Sequence, residues 1–197
     1  MSAYCLSIEE GTPLSRRCLK GDLPAPDEDL AAEMMAVTSS WLQGEGYEHY
    51  EISNFARPGR RCTHNVDCWR YRDYIGFGPS AHSKVGRDRR ANTPDVDAYV
   101  RACSPELKQT AAHERSPVSW HQRLSDRDVA CEATMLGLRL LEGMPRSRLE
   151  SLWATAGEDV EPRLHELECY GLLELGARVR LTRRGLLLAN EVHSAFV

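Results

Sequence analysis

The chain has 197 residues, of which 42% are hydrophobic and 27% charged, with a formal net charge of −4. That composition suits a globular protein with a buried core, as one large domain or two small ones. Mean hydropathy is −0.48 and Arg139 interrupts the best apolar run, Met135 to Leu141, so a membrane-spanning helix is excluded. The N-terminus shows no basic region followed by a long apolar one, so no secretory signal is expected. Seven cysteines, an odd number at irregular spacing, read as reduced thiols, with the cytoplasm as the default compartment.

Residues 2–8 alternate, with Tyr4, Leu6 and Ile8 on one side and Ala3, Cys5 and Ser7 on the other. This predicts a strand, whose neighbours must come from far along the chain or from residues absent here. Glu9 to Pro13 is a turn, 14–22 a short helix ending at Gly21, and Leu23 to Pro26 an extended linker stiffened by its prolines. Asp27 caps a helix over 28–43, with Leu30, Met34, Val37 and Trp41 at three- and four-residue steps. Tyr47 to Phe55 alternates as a strand, completing a βα unit of a parallel sheet.

Arg57 to Arg72 reads as a loop. Tyr74 to Val85 reads as a strand whose glycines admit a close approach to the backbone, and Gly86-Arg-Asp turns it into a short return strand, Arg89 to Asn92. Thr93 caps a helix to about Ala102, with Pro94 in its first turn. Residues 104–124 are polar and irregular, a linker. Ser125 and Asp128 then start a helix to Leu141 that stops at Gly143. Helices over 145–154 and 161–170, a hairpin over 172–182 turning at Gly176-Ala177 and a last helix over 184–196 complete a winged-helix arrangement.

Charge changes sign in the middle of the chain. Residues 57–90 hold nine basic side chains against three acidic ones, within a chain of net −4. A local basic stretch favours an anionic ligand there, although arginines on a solvated loop would look the same. The same stretch contains Cys62-Thr-His64-Asn65-Val-Asp67-Cys68-Trp69. Imidazole and thiolate ligate zinc, iron and haem iron. The C-x-H-x3-C spacing without a second pair argues against structural zinc. A single His among aromatic residues suits an axial ligand to a planar cofactor, with Trp69, Tyr71 and Tyr74 packing on the macrocycle and arginines pairing with its carboxylates. The plain alternative is a His that hydrogen-bonds its own turn.

Gly76-Phe-Gly78-Pro-Ser-Ala81-His82 resembles a dinucleotide fingerprint only superficially, because the glycines must open directly into a helix. A strand end approached by a ligand, with His82 as a contact, fits better, and a core histidine is the alternative. Winged helices often bind DNA, but the helix in the recognition position carries Glu161, Glu166 and Glu168 against Arg163, which repels phosphate. Nucleic acid is therefore disfavoured as a partner, though not by the basic wing, Arg178, Arg180, Arg183 and Arg184.

Several stretches together carry a resemblance: Tyr4-Cys-Leu-Ser-Ile-Glu-Glu-Gly-Thr-Pro-Leu, Leu-Pro-Ala-Pro-Asp-Glu-Asp, Gly46-Tyr-Glu-His-Tyr-Glu-Ile-Ser-Asn-Phe-Ala-Arg-Pro-Gly, Cys62-Thr-His-Asn-Val-Asp-Cys-Trp and Tyr74-Ile-Gly-Phe-Gly-Pro-Ser-Ala-His-Ser. In this order they resemble the HemW-like branch of the radical S-adenosylmethionine (SAM) family, related to oxygen-independent coproporphyrinogen III oxidase. The resemblance implies an α/β chain: the C-terminal part of a partial (β/α) barrel over 1–103 with the haem-motif loop, a linker over 104–124 and a small winged-helix domain over 125–197. It implies a cytoplasmic haem chaperone that passes haem to an acceptor protein. A fragment of the coproporphyrinogen oxidase of porphyrin synthesis is the alternative.

The family's His-Asn-x-x-Tyr-Trp haem motif reads here as His64-Asn65-Val66-Asp67-Cys68-Trp69, with Cys68 in place of the Tyr. The resemblance thus implies haem binding by His64, Asn65, Cys68 and Trp69, with His64 as the ligand to haem iron, and SAM-facing positions at Tyr4, Ser7 and His82. The family also uses a [4Fe-4S] cluster and SAM, yet this sequence contains no C-x3-C-x2-C. No catalytic residue is assigned, radical chemistry by this chain alone is not expected, and a second chain supplying the N-terminal barrel half is a candidate partner.

Overall fold

A computed structural model describes residues 1–104 and 116–197. These residues form a mixed α/β fold with three small sheets. Every strand pairing among the described residues is antiparallel, so the parallel βα unit expected around residue 50 does not form.

Residues 2–8 do not form the expected strand. The start of this segment lies against residues 53–54, where Ser2 bridges Asn54 and the Ala3 amide donates to the Ser53 carbonyl, but no ladder continues past Ala3. Helix α1 (Pro13–Leu19) is capped by the Thr12 hydroxyl. Helix α2 (Glu28–Gly44) is capped by Asp27, which accepts from the Leu30 amide. The expected strand over 47–55 is instead a hairpin, β1 (Glu48–Glu51) and β2 (Asn54–Ala56). Its turn is fixed from within: the buried Glu51 carboxylate accepts from the Ser53 amide at 3.1 Å and from Asn54 Nδ2 at 2.5 Å.

The expected loop after Arg57 contains a helix, α3 (Thr63–Trp69). Of the expected strand over 74–85, only β3 (His82–Val85) is regular. Tyr74 bridges back to Lys84, so the glycine segment between them is a loop rather than a strand. β3 pairs with β4 (Asp88–Asn92) as expected. Helix α4 (Val96–Cys103) is capped by Asp95 rather than Thr93. Part of the expected linker over 104–124 lies outside the described residues, but Val118–Arg123 is strand β5, on the far side of β4.

The remaining chain follows the sequence pattern closely. Helix α5 (Asp126–Gly137) opens with a reciprocal capping box between Ser125 and Asp128 and ends at Gly137, short of the expected Leu141. A short β6 (Met144–Pro145) leads into α6 (Arg146–Thr155) and α7 (Glu161–Cys169). The hairpin β7 (Leu173–Leu175) and β8 (Arg178–Leu181) forms a sheet with β6, in the order β6-β8-β7. The last helix is broken at Leu188 into α8 (Arg183–Leu187) and α9 (Ala189–Ser194).

These elements enclose one core centred on Leu149, Trp153, Leu164, Val179, Val192 and Phe196, all fully buried. The Trp153 indole N–H donates to the buried Thr134 hydroxyl at 3.0 Å, so no polar atom is stranded there. Two glycines set the approach of the sheet. Gly143 has φ +68° and any side chain on it would run into the Val179 carbonyl, while a side chain at Gly185 would strike that of Leu172.

Candidate functional site

Helix α3 presents the motif residues in layers. Val66 faces inward and is buried with Tyr50, Ala56 and Leu140, against which Trp69 packs. His64 is exposed, Asn65 and Cys68 are half-buried. Residues four apart share a helix face, and Cys68 Sγ lies 3.8 Å from His64 Nε2. Burial, reinforced by Asp67 and Cys62, pushes the Cys68 thiol up from its ordinary value.

Beside this face is a cavity of about 300 Å³ between α3, β3, β4 and α5. Its walls include Cys68, Trp69, Tyr71, Tyr74, His82 and Lys84. At the small end of ligand pockets, it has room for one edge of a flat molecule. Thus Cys68, Trp69 and His82 come together. His64 and Asn65 lie outside the cavity lining. Tyr4 and Ser7 are exposed in the N-terminal segment and do not line the cavity.

Part of the cavity lining is a polar network. Arg89 holds Glu132 through two bonds, 2.6 and 2.7 Å, and the Tyr71 hydroxyl donates to Glu132 at 2.8 Å. Such bidentate, charge-assisted pairs are strong and directional. They tie β4 and the loop after α3 to α5. Burial, then the Glu132 hydrogen bond, pushes the Tyr71 phenol up. Tyr71 sits in the left-handed region at φ +61°, a position that costs a non-glycine residue energy unless its surroundings hold it. The buried Lys84 ammonium lies 4.0 Å from the Tyr71 ring centre and donates to Asp73 at 3.0 Å. That bond, with one from the Gly86 amide, holds the Asp73 carboxyl below the usual range.

The basic stretch is therefore largely answered from within. Arg61, Arg70, Arg72, Lys84, Arg87 and Arg89 all have carboxylate partners, some from distant segments that local charge counting cannot assign. Arg57, Arg60 and Arg90 make no ion pair among the described residues. The wing behaves likewise: Arg178 pairs with Glu142 and Arg180 with Glu174.

Sequence reasoning missed a residue that anchors the motif. The Arg139 guanidinium lies 4.4 Å from the centre of the Trp69 ring and 3.9 Å from the fully buried Glu51 carboxylate. In the sequence Arg139 is visible only as the charge that interrupts an apolar run. Among the described residues, no three His, Cys, Asp or Glu side chains converge as a metal-binding group. Iron at α3 would depend on one of these side chains and on a macrocycle for its other ligands.

Comparison with known proteins follows this geometry. Residues 124–188 match the HemN C-terminal domain. The chain is 34% identical over 193 residues to the haem chaperone HemW of Mycobacterium tuberculosis, covering 98% of this chain and 46% of that protein. The chain belongs to the HemW/HemN-like radical SAM family and corresponds to its C-terminal portion. A mitochondrial radical S-adenosyl methionine domain-containing protein 1 of Bos taurus is 32% identical over 98% of this chain and 45% of its own length. The solved structure of coproporphyrinogen III oxidase (HemN) from Escherichia coli, a radical SAM enzyme, superposes with a TM-score of 0.62 at 18% identity, covering 93% of this chain and 44% of that one. The HemW/HemN-like chain thus spans about half the length of the curated relatives it matches. The likeness to HemN supports the fold alone.

Proposed function

We propose that this chain carries the haem-holding face of a HemW-like haem chaperone, which passes haem to an acceptor protein in the cytoplasm. The observation that carries this is the build of α3: an exposed His64, Cys68 beside it, and Trp69 behind, on the rim of a cavity walled by aromatic rings. His64 supplies the axial imidazole, Trp69 and Tyr74 pack against the edge of the macrocycle, and Asn65 completes the motif on the helix. In this reading the region before 104 is the late part of a (β/α) barrel and the region from 125 a winged helix. SAM is faced by Tyr4 and Ser7 only when a chain with the earlier barrel strands and the [4Fe-4S] ligands is docked. His82 serves the cavity.

The exposed stripe Leu30, Met34, Val37 and Trp41 on α2, with Tyr4 and Leu6, supports that docking. Among the described residues, no helix is long and apolar enough to cross a membrane. The internal neutralisation of Arg178 and Arg180, with Glu166 and Glu168 exposed on α7, leaves little to attract a phosphate backbone.

The match of residues 124–188 to the HemN C-terminal domain keeps a second reading, a fragment of a coproporphyrinogen oxidase. Binding of haem in competition with iron-free porphyrin separates the two. Preference for haem, weakened more by His64→Ala than by His82→Ala, supports the chaperone reading. Equal affinity for the iron-free ring, with no effect of His64→Ala, supports the oxidase reading.

A further inference from the structure

Two metal-ligating atoms on α3 stand about as far apart as two ligands of one ion. Nε2 of His64 and Sγ of Cys68 are 3.8 Å apart. Residues four apart project from one helix face, the spacing by which a helix offers two ligands to a single metal. Zinc–imidazole bonds run about 2.0–2.1 Å and zinc–thiolate bonds about 2.3 Å, so at a tetrahedral angle the two ligand atoms are about 3.6 Å apart. A small rotation of either side chain makes up the difference. Among the described residues, neither the His64 ring nor the Cys68 thiol hydrogen-bonds to any other group. His64 is exposed and Cys68 half-buried, so an ion can approach the pair from solvent.

We propose that His64 and Cys68 together bind one zinc ion on α3, with water at its remaining positions. Thiolate with imidazole selects zinc over magnesium and calcium, which take oxygen ligands. Binding is coordination without electron transfer. The Cys68 S–H gives its proton to solvent and the thiolate donates an electron pair to zinc. His64 donates the Nε2 lone pair as the neutral tautomer protonated at Nδ1, and two of the ion's waters leave.

The site is open and exchangeable. Structural zinc takes four protein ligands and catalytic zinc three. Here Asp67 is held by Arg72 at 3.0 Å, and no third His, Cys, Asp or Glu among the described residues converges on the pair. Losing the ion should therefore leave the fold intact. The family motif has Tyr where this chain has Cys68, so the site comes with this chain's own residue. The inference goes beyond the haem reading and does not need it. Where both hold, zinc occupies the nitrogen assigned to haem iron, and a zinc-loaded chain cannot bind haem through His64.

The test uses the full chain, stripped with EDTA, kept reduced by a phosphine and free of haem. Cobalt(II) is the spectroscopic probe, titrated into wild type, Cys68→Ser, His64→Ala and, as a control for a neighbouring thiol, Cys62→Ser. Folding of each is checked by far-ultraviolet circular dichroism. The expected result is a saturable thiolate-to-cobalt charge-transfer band in wild type, displaced by zinc and not by magnesium. The band should be lost in Cys68→Ser and in His64→Ala and kept in Cys62→Ser. On the unmutated chain, X-ray absorption of the zinc-loaded protein should show both sulfur and nitrogen bound to the ion. No band in wild type, a band that survives His64→Ala, equal loss in Cys62→Ser, or zinc surrounded by sulfur alone or oxygen alone would each overturn the proposal. None of these results bears on the haem reading, which a titration with haem tests separately.

Discussion

From Ala130 to Phe196, sixteen buried apolar residues form one cluster. The second cluster, around α3, has four: Tyr50, Ala56 and Val66 from the earlier region, and Leu140 from the later one. On α2, by contrast, Leu30, Met34, Val37 and Trp41 are all more than half exposed. The apolar spacing that builds helices is present in both regions. It finds a partner in one and not in the other. Periodicity tells which face a helix needs to bury, but not whether the matching surface is close by. Helix α3 lies where the regions meet, and Arg139, from the later region, stacks on Trp69 of the earlier one.

The sharpest test of this contrast is to empty the core. Trp153→Ala should cost about 3–5 kcal/mol of unfolding free energy, seen in a urea titration as a lower midpoint at α5–α9. A loss under 1 kcal/mol would mean that the later region is not held by this cluster. Acid should act on the same region next most strongly. Burial, with Arg139 nearby, pushes His193 down to about 4. Its unfolded value is about 6.5, so between these pH values the unfolded chain binds the extra proton and stability falls as pH drops. The loss should total roughly 3 kcal/mol, levelling off below pH 4 as the folded-state imidazole itself becomes protonated. His193→Leu should flatten the slope in that window; an unchanged slope would point to other groups.

Arg139→Leu probes the contact between the regions. It leaves the buried Glu51 carboxylate without its cation and frees the Trp69 ring. Leaving a buried charge unpartnered should cost about 1–3 kcal/mol, and haem affinity should fall with it. Arg139→Lys should restore part of the stability but less of the stacking. The smallest effect is expected on the open face. Trp41→Ser or Leu30→Ser should change the stability of this chain by no more than about 0.5 kcal/mol, while raising its solubility. A large loss at either position would show that α2 is covered in solution.

How much of this could be read from residues alone varies with the range of the forces involved. The later region was legible because its signals are local: Ser125 and Asp128 cap α5 and Gly176-Ala177 turns the hairpin, although α5 ends at Gly137 and not at the expected Gly143. The strand reading of 47–55 failed because the turn at Ile52-Ser53 is fixed by the buried Glu51 carboxylate, which alternation does not reveal. Helix α3 was read as loop because Cys62 supplies no capping hydrogen bond and seven residues offer little period. The strand assigned to residues 2–8 had the pattern, but its pairing with residues 53–55 ends at Ala3. In the site, His64, Cys68 and Trp69 were legible from residue type and spacing, and their layering on one helix was not. Glu132, Lys84 and Arg89 entered only through the fold, since Arg89 and Glu132 are 43 residues apart. Arg139 needed the fold too, because nothing local links it to an aromatic ring seventy positions earlier.

The measurement that bears most directly on the whole account is a Soret titration of the purified chain with haem, wild type beside His64→Ala. The account predicts saturation at one haem per chain for wild type and a marked loss of affinity for the variant, with both proteins equally folded. Unsaturable binding, or titrations that coincide, would contradict the assignment of α3 as the haem-holding helix.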